Sequence, residues 1–505
     1  MSVLSSIKRM WRKFSRFPVF LITLLDQASP RILSAYLFYT LILVFLSTHM
    51  NMIAGDSPPT VYLPVALLRW GTLRLDPLVG QIPVLFDLDN HPRYLVEVNG
   101  HYYSKYSPLP ALLALPLYAL YMAIGRPDYY VVYLTLSRVV STFIAATTSV
   151  IVFWLLRLVL SQSRALFLTW VYALATFTWS LATNTLVTQG AGELFLAAGV
   201  LLLARAAHST PSFKSFALAG FLIALAVASR PQIMAAALLL SLYVLQQEWP
   251  RPKIWLGFFG AAFPPAFLWG AYNLWAFGSP FATGYQQQAL DGWSYPIWKG
   301  LLGILFSPAH GLWMYSPVLL IAFAGGWWVW RHDAEGSRQK AEDSRQKNEA
   351  RPDLALLRTI SLICLAQLLL ISAWHFWNGG SAYNQRMLHE VAPLMFVLIA
   401  FAWRQWADQR WATCLLVCAG LWGVWMNLNK IAFYAQHLSW VGEYRSELDW
   451  SLASAELLMY LRWHGLGGVL SATGLIALKV GLLILLLTLI MARFAYLRSR
   501  QTLKV

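Results

Sequence analysis

Long uninterrupted runs of apolar residues dominate this sequence, and they restrict its fold more than any other feature. A helix rises about 1.5 Å per residue, so a run of roughly 20 residues crosses the roughly 30 Å of a bilayer's hydrocarbon. Blocks of that size recur from Ile32 to Met491. Hydrophobic residues make up 58% of the 505 positions and charged residues only 12%, about half the charged share of a soluble domain. Short alternating strands separated by turns, the pattern of an outer-membrane barrel, are not seen. The expected fold class is all-α: a polytopic transmembrane helical bundle of about 12 spans, in which every backbone group is satisfied within its own helix.

The net charge of +16 invites comparison with nucleic-acid-binding proteins. The basic residues, however, sit in short segments between apolar blocks, with no basic stripe facing an aromatic platform, so no nucleic acid is expected. The positive-inside rule accounts for them. Residues 1–31 carry Lys8, Arg9, Arg12, Lys13, Arg16 and Arg31, interleaved with Trp11, Phe14, Phe17 and Phe20. They read as a basic amphipathic segment on the cytoplasmic interface. The three cysteines, Cys364, Cys414 and Cys418, lie within apolar blocks and imply neither a disulfide framework nor a zinc site.

Parity of the spans sets the expected topology. The block Pro108–Gly125 contains three prolines, at 108, 110 and 116. If it crossed, the later basic clusters (Arg157 with Arg164, Arg205 with Lys214, Arg251 with Lys253, Arg331 to Arg358, Arg404 with Arg410, Arg493 to Lys504) would all lie outside. It is therefore read as a re-entrant or juxtamembrane helix, with both termini cytoplasmic. Residues 32–330 form a first transmembrane module with outer loops 49–107 and 277–308. Residues 331–358, with the duplicated Ser-Arg-Gln-Lys at Ser337 and Ser344, form a flexible charged cytoplasmic loop. Residues 359–505 form a second module with outer segments 375–389 and 428–466. The expected location is the plasma (inner) membrane, with membrane lipids as neighbours.

Ionisable groups then collect at the outer ends of spans, which points to a functional site there. Asp56 follows the first span in Ala-Gly-Asp-Ser-Pro-Pro. It suits a general base, or it simply starts the next helix. Lys105 lies at headgroup depth, where an ammonium can hold a lipid phosphate or snorkel to the interface. Arg230, in Ala-Ser-Arg-Pro with almost no loop around it, requires a partner: a phosphate, Asp56 or Glu193. The densest segment is Trp374 to Arg386, with Trp377, Gly379, Gly380, Tyr383 and Arg386. Its aromatics can stack on a sugar and its arginine can grip phosphate, or it is an aromatic belt. The turn-rich loop from Trp275 to Tyr285 can act as a lid or as a plain connection. No Walker loop, dinucleotide fingerprint or His-Glu-x-x-His occurs, so an ATP-driven transporter or a metalloprotease of that type gains no support.

Taken together these residues resemble the GT-C superfamily of polyprenyl-phosphate-sugar glycosyltransferases, which includes protein mannosyltransferases and lipid A aminoarabinose transferases. Asp56 matches the catalytic aspartate after the first span. Gly100, Tyr103, Lys105, Pro108 and Leu109 match the Gly-x-x-Tyr-x-x-Lys-Pro-Pro-Leu segment. Arg138 resembles the arginine that opens the next span, and Trp377-Asn-Gly-Gly through Arg386 a segment of bacterial relatives. Ser57 stands where the family often has a second acid, and Tyr106 and Ser107 separate Lys105 from its prolines.

The resemblance implies transfer of a sugar from a polyprenyl-phosphate donor to a hydroxyl of a glycan, lipid or protein acceptor in the cell envelope, on the extracytoplasmic face, with inversion. It implies Asp56 as base, Lys105, Arg230 and Arg386 on the donor phosphate, and Tyr103, Trp377, Tyr383, Tyr285 and Glu193 near sugar or acceptor. It fixes no cofactor and leaves a divalent metal open. The competing readings are a transporter or flippase of lipid-linked saccharides, which predicts mid-membrane charges and inverted repeats, and a non-catalytic assembly protein.

Overall fold

The computed structural model describes residues 25–48, 57–82, 85, 94–125, 127–207, 211–285, 292–331, 353–380, 384–406, 409–438, 450–451 and 456–502. Among these, eight helices are long and apolar enough to cross a membrane. The protein is an all-α, multi-pass membrane bundle.

The first helix, α1 (Pro30–Ser47), begins at a proline, which fits where no amide partner exists. We call its Ser47 end the upper end of the bundle. The expected outer loop is far from featureless. It builds α2 (Pro58–Trp70), opened by Pro58-Pro59 and closed by Gly71 at φ +65°, then a hairpin of β1 (Leu95–Val98) and β2 (His101–Ser104). Helix α3 (Leu109–Ile124) follows. Together with the start of α4 (Tyr129–Leu156), these elements bury a separate small core around Val61, Tyr62, Leu63, Leu78, Ala114, Tyr118 and Val132. The apolar run in α2 is too short to span, so it reads as loop in the sequence although it has a core of its own.

Helix α3 enters and leaves at the upper end. Ser107, just before it, borders a cavity with Thr188 and Arg230. Just after it begins α4, whose Arg138 reaches back to the Phe45, Leu46 and Thr48 carbonyls at 2.8, 3.2 and 2.5 Å. Those carbonyls belong to the end of α1, where no intrahelical donor remains, and the guanidinium caps them.

The rest alternates direction: α5 (Gln162–Ala175), α6 (Thr188–Ala207), α7 (Phe213–Ser229), α8 (Met234–Glu248) and α9 (Pro252–Phe277). The loop after α9 holds an unexpected helix, α10 (Ile297–Phe306). The apolar block Leu312–Trp330 is long enough for one span but is broken at Ser316 (φ −146°, ψ 59°), because Pro317 pushes the preceding residue out of helical geometry. Only α11 (Ile321–Arg331) continues as a helix.

Helix α12 (Leu354–Ser372) starts inside the stretch expected to be flexible. Asp353 caps it, accepting from the Ala355 and Leu356 amides at 2.9 and 3.2 Å. Helix α13 (Ala392–Gln405), preceded by a tight turn over Arg386–Val391, is the bundle's centre, with 89% of its apolar window buried. Helices α14 (Arg410–Leu438) and α15 (Glu456–Thr502) complete the chain, α15 turning sharply at Gly465.

Helix α15 runs antiparallel to α1: Tyr36 meets Thr488 at 2.6 Å, and Lys479 donates to the Ser47 carbonyl at 2.9 Å. The start of the first helix and the end of the last therefore share one end of the bundle. Lipid replaces water around this fold. Only 22% of the apolar window of α9 and 11% of that of α15 is buried, and Phe263, Phe267, Leu475 and Leu482 face outward. Where helices cross, small residues let backbones touch. An added Cβ at Gly220 would lie 2.1 Å from the Phe258 carbonyl oxygen, and at Gly325 2.0 Å from that of Leu398.

Candidate functional site

The chain passes from α7 to α8 through Arg230-Pro231, with almost no loop. Pro231 holds Arg230 extended (φ −147°, ψ 111°), which turns its side chain inward at the upper end. The guanidinium is nearly buried, its side chain 8% exposed. Its Nε pairs with Glu390 Oε1 at 2.5 Å, and its Nη1 donates to the Thr188 hydroxyl at 3.2 Å. Gln232 Nε2 donates to the same Glu390 oxygen at 3.3 Å. Three segments far apart in sequence thus meet on one arginine.

Arg230 lines a cavity of about 480 Å³. Its polar wall is Ser107, Thr188, Ser229, Arg230, Gln232 and Thr283; its aromatic wall is Tyr106, Phe281, Tyr285, Trp293 and Trp374. Trp293 and Trp374 lie 4.6 Å apart. Lys105 stands at the rim, with its ammonium 4.9 Å from the centre of the Tyr285 ring. The loop carrying Tyr285 packs directly on the Lys105 backbone: a Cβ at Gly284 would lie 2.4 Å from the Lys105 carbonyl oxygen.

A second cavity of about 640 Å³ shares Met234 and Phe281 with the first. Its lining is almost wholly apolar, drawn from α7, α8 and α9, with Ala224, Val227, Phe259 and Phe263 among them. It faces the side where Phe263 and Phe267 are exposed, so it forms a lipid-side groove running up to the cationic cavity.

Of the residues singled out in the sequence, Arg230, Lys105 and Tyr285 gather at this cavity. Asp56 and Tyr383 lie outside the described residues. Arg386 sits beside the cavity residue Met387, where its Nε donates to the Gly379 carbonyl at 2.9 Å. Gly379 and Gly380 both have positive φ (+76° and +69°), so the Gly-Gly pair folds the loop over Arg386. Tyr103 is buried against Trp275, Phe277 and Arg74, and pins the hairpin to the end of α9. Trp377 is buried in the slot left by Gly303 on α10. Glu193 is 1% exposed and lies inside the bundle, accepting from the Tyr172 hydroxyl at 2.7 Å and facing His389 Nδ1 at 3.5 Å.

Sequence reasoning passed over Glu390, His389, Gln232, Thr188, Trp293 and Tyr106. For the first two a signal existed: an acid and a histidine adjoining the apolar run of α13 are costly unless partnered, and that cost marks a built site. Among the described residues, no three His, Cys, Asp or Glu side chains come together as a metal centre.

Fold and site together define a polytopic helical membrane protein with a cationic, aromatic-walled cavity at one end of the bundle, fed by an apolar groove. No family model matches the sequence and no curated protein aligns with it significantly. Several solved structures align with the chain. ArnT from Cupriavidus metallidurans in the apo state shares 12% identity at a TM-score of 0.43, over 91% of this chain and 76% of that one. The archaeal oligosaccharyltransferase AglB from Archaeoglobus fulgidus, in complex with an inhibitory peptide and a dolichol-phosphate, shares 11% at 0.41, over 87% and 55%. The chain thus spans a little over half the length of the archaeal protein.

Proposed function

We propose that this protein is a membrane glycosyltransferase that moves a sugar from a polyprenyl-phosphate donor to an acceptor hydroxyl on the extracytoplasmic face. The observation that carries this reading is the continuity of an apolar, lipid-side groove with a cavity that holds Arg230 and has Lys105 at its rim. An isoprenoid tail suits the groove, a phosphate suits the two cations, and a sugar suits the aromatic wall.

In the proposed reaction Asp56 takes the proton of the acceptor hydroxyl. That oxygen bonds to the anomeric carbon as the carbon–oxygen bond to phosphate breaks, with inversion. The electron pair leaves with the polyprenyl phosphate, whose charge faces Arg230 and Lys105, with Arg386 adjoining. A preorganised cation of this kind typically contributes a few kcal/mol to the transition state. Ser57, next to Asp56, is buried and lies 3.2 Å from the Tyr133 hydroxyl, so the chain at this point is anchored to α4. Tyr285 and Tyr106 are the sugar contacts at the wall. Trp377 holds that wall from behind, its amide donating to the Trp374 carbonyl at 3.0 Å, while Tyr103 and Glu193 are buried away from it and Tyr383 is assigned to the acceptor.

The test is purified protein in lipid nanodiscs, incubated with several polyprenyl-phosphate sugars and candidate acceptors and followed by mass spectrometry. Release of polyprenyl phosphate with a sugar-bearing acceptor is expected. A well-folded protein that consumes none of these donors overturns the reading. Asp56→Asn is expected to abolish transfer, and normal turnover in that variant removes Asp56 from the base role alone.

A further inference from the structure

Arg230 reaches the cavity with its charge already matched. Glu390 is fully buried and does not line the cavity, and Arg230 lies between the two. One carboxylate oxygen takes both Arg230 and Gln232; the other, Oε2, makes no hydrogen bond among the described residues. The carboxylate is held in place from behind. It sits on the tight turn Arg386–Val391, and Gly192 of α6 is close enough that an added Cβ would lie 3.7 Å from Glu390 Cγ. The neighbouring buried acid, Glu193, has His389 facing it instead.

Beyond the transfer itself, and resting on that reading, we propose that Glu390 is a resident counter-ion that biases the site against its own product. An arriving phosphate meets an arginine paired with a carboxylate, not a bare cation. The donor is a phosphodiester with one negative charge. The product is a phosphate monoester, which carries roughly −1.5 to −2 near neutral pH. A bare cation would hold the product more tightly than the donor and stall turnover. A fixed carboxylate a few ångströms behind that cation repels the product's extra charge more than the donor's single one, because Coulomb repulsion scales with charge and is weakly screened at a buried site. Glu390 therefore favours release of the lipid phosphate.

Binding of polyprenyl monophosphate, of a polyprenyl phosphodiester and of uncharged polyprenol to the full-length protein in nanodiscs tests this, comparing wild type with Glu390→Gln. The variant is expected to bind the monophosphate at least tenfold more tightly, about 1.4 kcal/mol. The diester gains less and polyprenol gains nothing. In the transfer assay kcat and KM are expected to fall together, as slowed product release requires. Glu390→Asp, which keeps the charge but withdraws it by a methylene, gives a smaller gain and serves if the glutamine variant does not fold. Wild type that binds the monophosphate while folded Glu390→Gln binds it equally or more weakly overturns the counter-ion role and leaves the proposed function standing. Wild type that binds polyprenol and monophosphate alike overturns the phosphate-site reading itself.

Discussion

Replacing Arg230 with methionine keeps length and apolar volume but leaves Glu390 without its cation. The pair is nearly dry, with side chains 8% and 0% exposed. Deleting one member of such a pair typically costs about 3–5 kcal/mol of stability. The carboxyl can escape by taking a proton. From its ordinary value of about 4.3, protonation at pH 7 costs about 3.7 kcal/mol, which caps the loss, with the lost Thr188 hydrogen bond adding about 1 kcal/mol. The sign of the pH effect follows. The variant folds with an extra proton on Glu390, so lowering the pH favours its folded form. At pH 5.5 the same proton costs about 1.6 kcal/mol, and Arg230→Met should recover roughly 2 kcal/mol relative to wild type. Arg230→Met with Glu390→Met removes both charges, and the double variant should return to within about 1 kcal/mol of wild type. Reversible SDS unfolding in mixed micelles, followed by tryptophan fluorescence, measures all four proteins of the cycle: wild type, Arg230→Met, Glu390→Met and the double variant. A loss below about 1 kcal/mol, a loss independent of pH, or simple additivity in the double variant would refute the claim that these groups are a desolvated pair.

Other consequences follow from single contacts. Gly220→Ala puts a methyl 2.1 Å from the Phe258 carbonyl oxygen, where two helix backbones meet and neither can retreat; a loss of about 1–3 kcal/mol or more is expected, whereas Gly260→Ala, with nothing within 4 Å, should be near neutral. Gly284→Ala forces the Tyr285 loop off the Lys105 backbone, so the KM for the lipid donor should rise several-fold in the transfer assay while the unfolding midpoint stays put. Arg138→Ala leaves the Phe45, Leu46 and Thr48 carbonyls without their guanidinium and should cost about 1.5–3 kcal/mol in SDS unfolding, with Arg138→Lys recovering part of it.

The spans were readable because the bilayer acts on composition averaged over some twenty residues, and no side chain has to be placed for that average to be right. The antiparallel contact of α1 with α15 depends instead on single side chains, Tyr36 on Thr488 and Lys479 on the Ser47 carbonyl, which no average over composition specifies. Pairing is another matter. Gln232 and Glu390 lie 158 positions apart, and only packing decides that Glu390, not Glu193, meets Arg230. Aromatics were the least readable. Tyr103 and Trp377 have the chemistry to stack on a sugar, yet one turns to Trp275 and the other into the slot of Gly303, while Trp293 and Trp374 take the wall. An apolar ring is equally content against a neighbouring ring, a glycine or a ligand, so its type carries no direction.

Arginine beside proline does carry direction. Pro231 denies Arg230 a helical backbone, α7 must stop, and α8 restarts within a few residues, so no loop exists to carry the guanidinium out to water. A charge trapped in this way has to be met by groups from other segments, and Glu390 and Thr188 are drawn to the same end of the bundle. The cavity at that end follows from the same cause. Helices α7 and α8 diverge from a corner that cannot be filled by a loop, and the space between them, floored by Arg230 and open to lipid along Val227, Met234 and Phe281, is what remains for a ligand with a charged head and a long apolar tail.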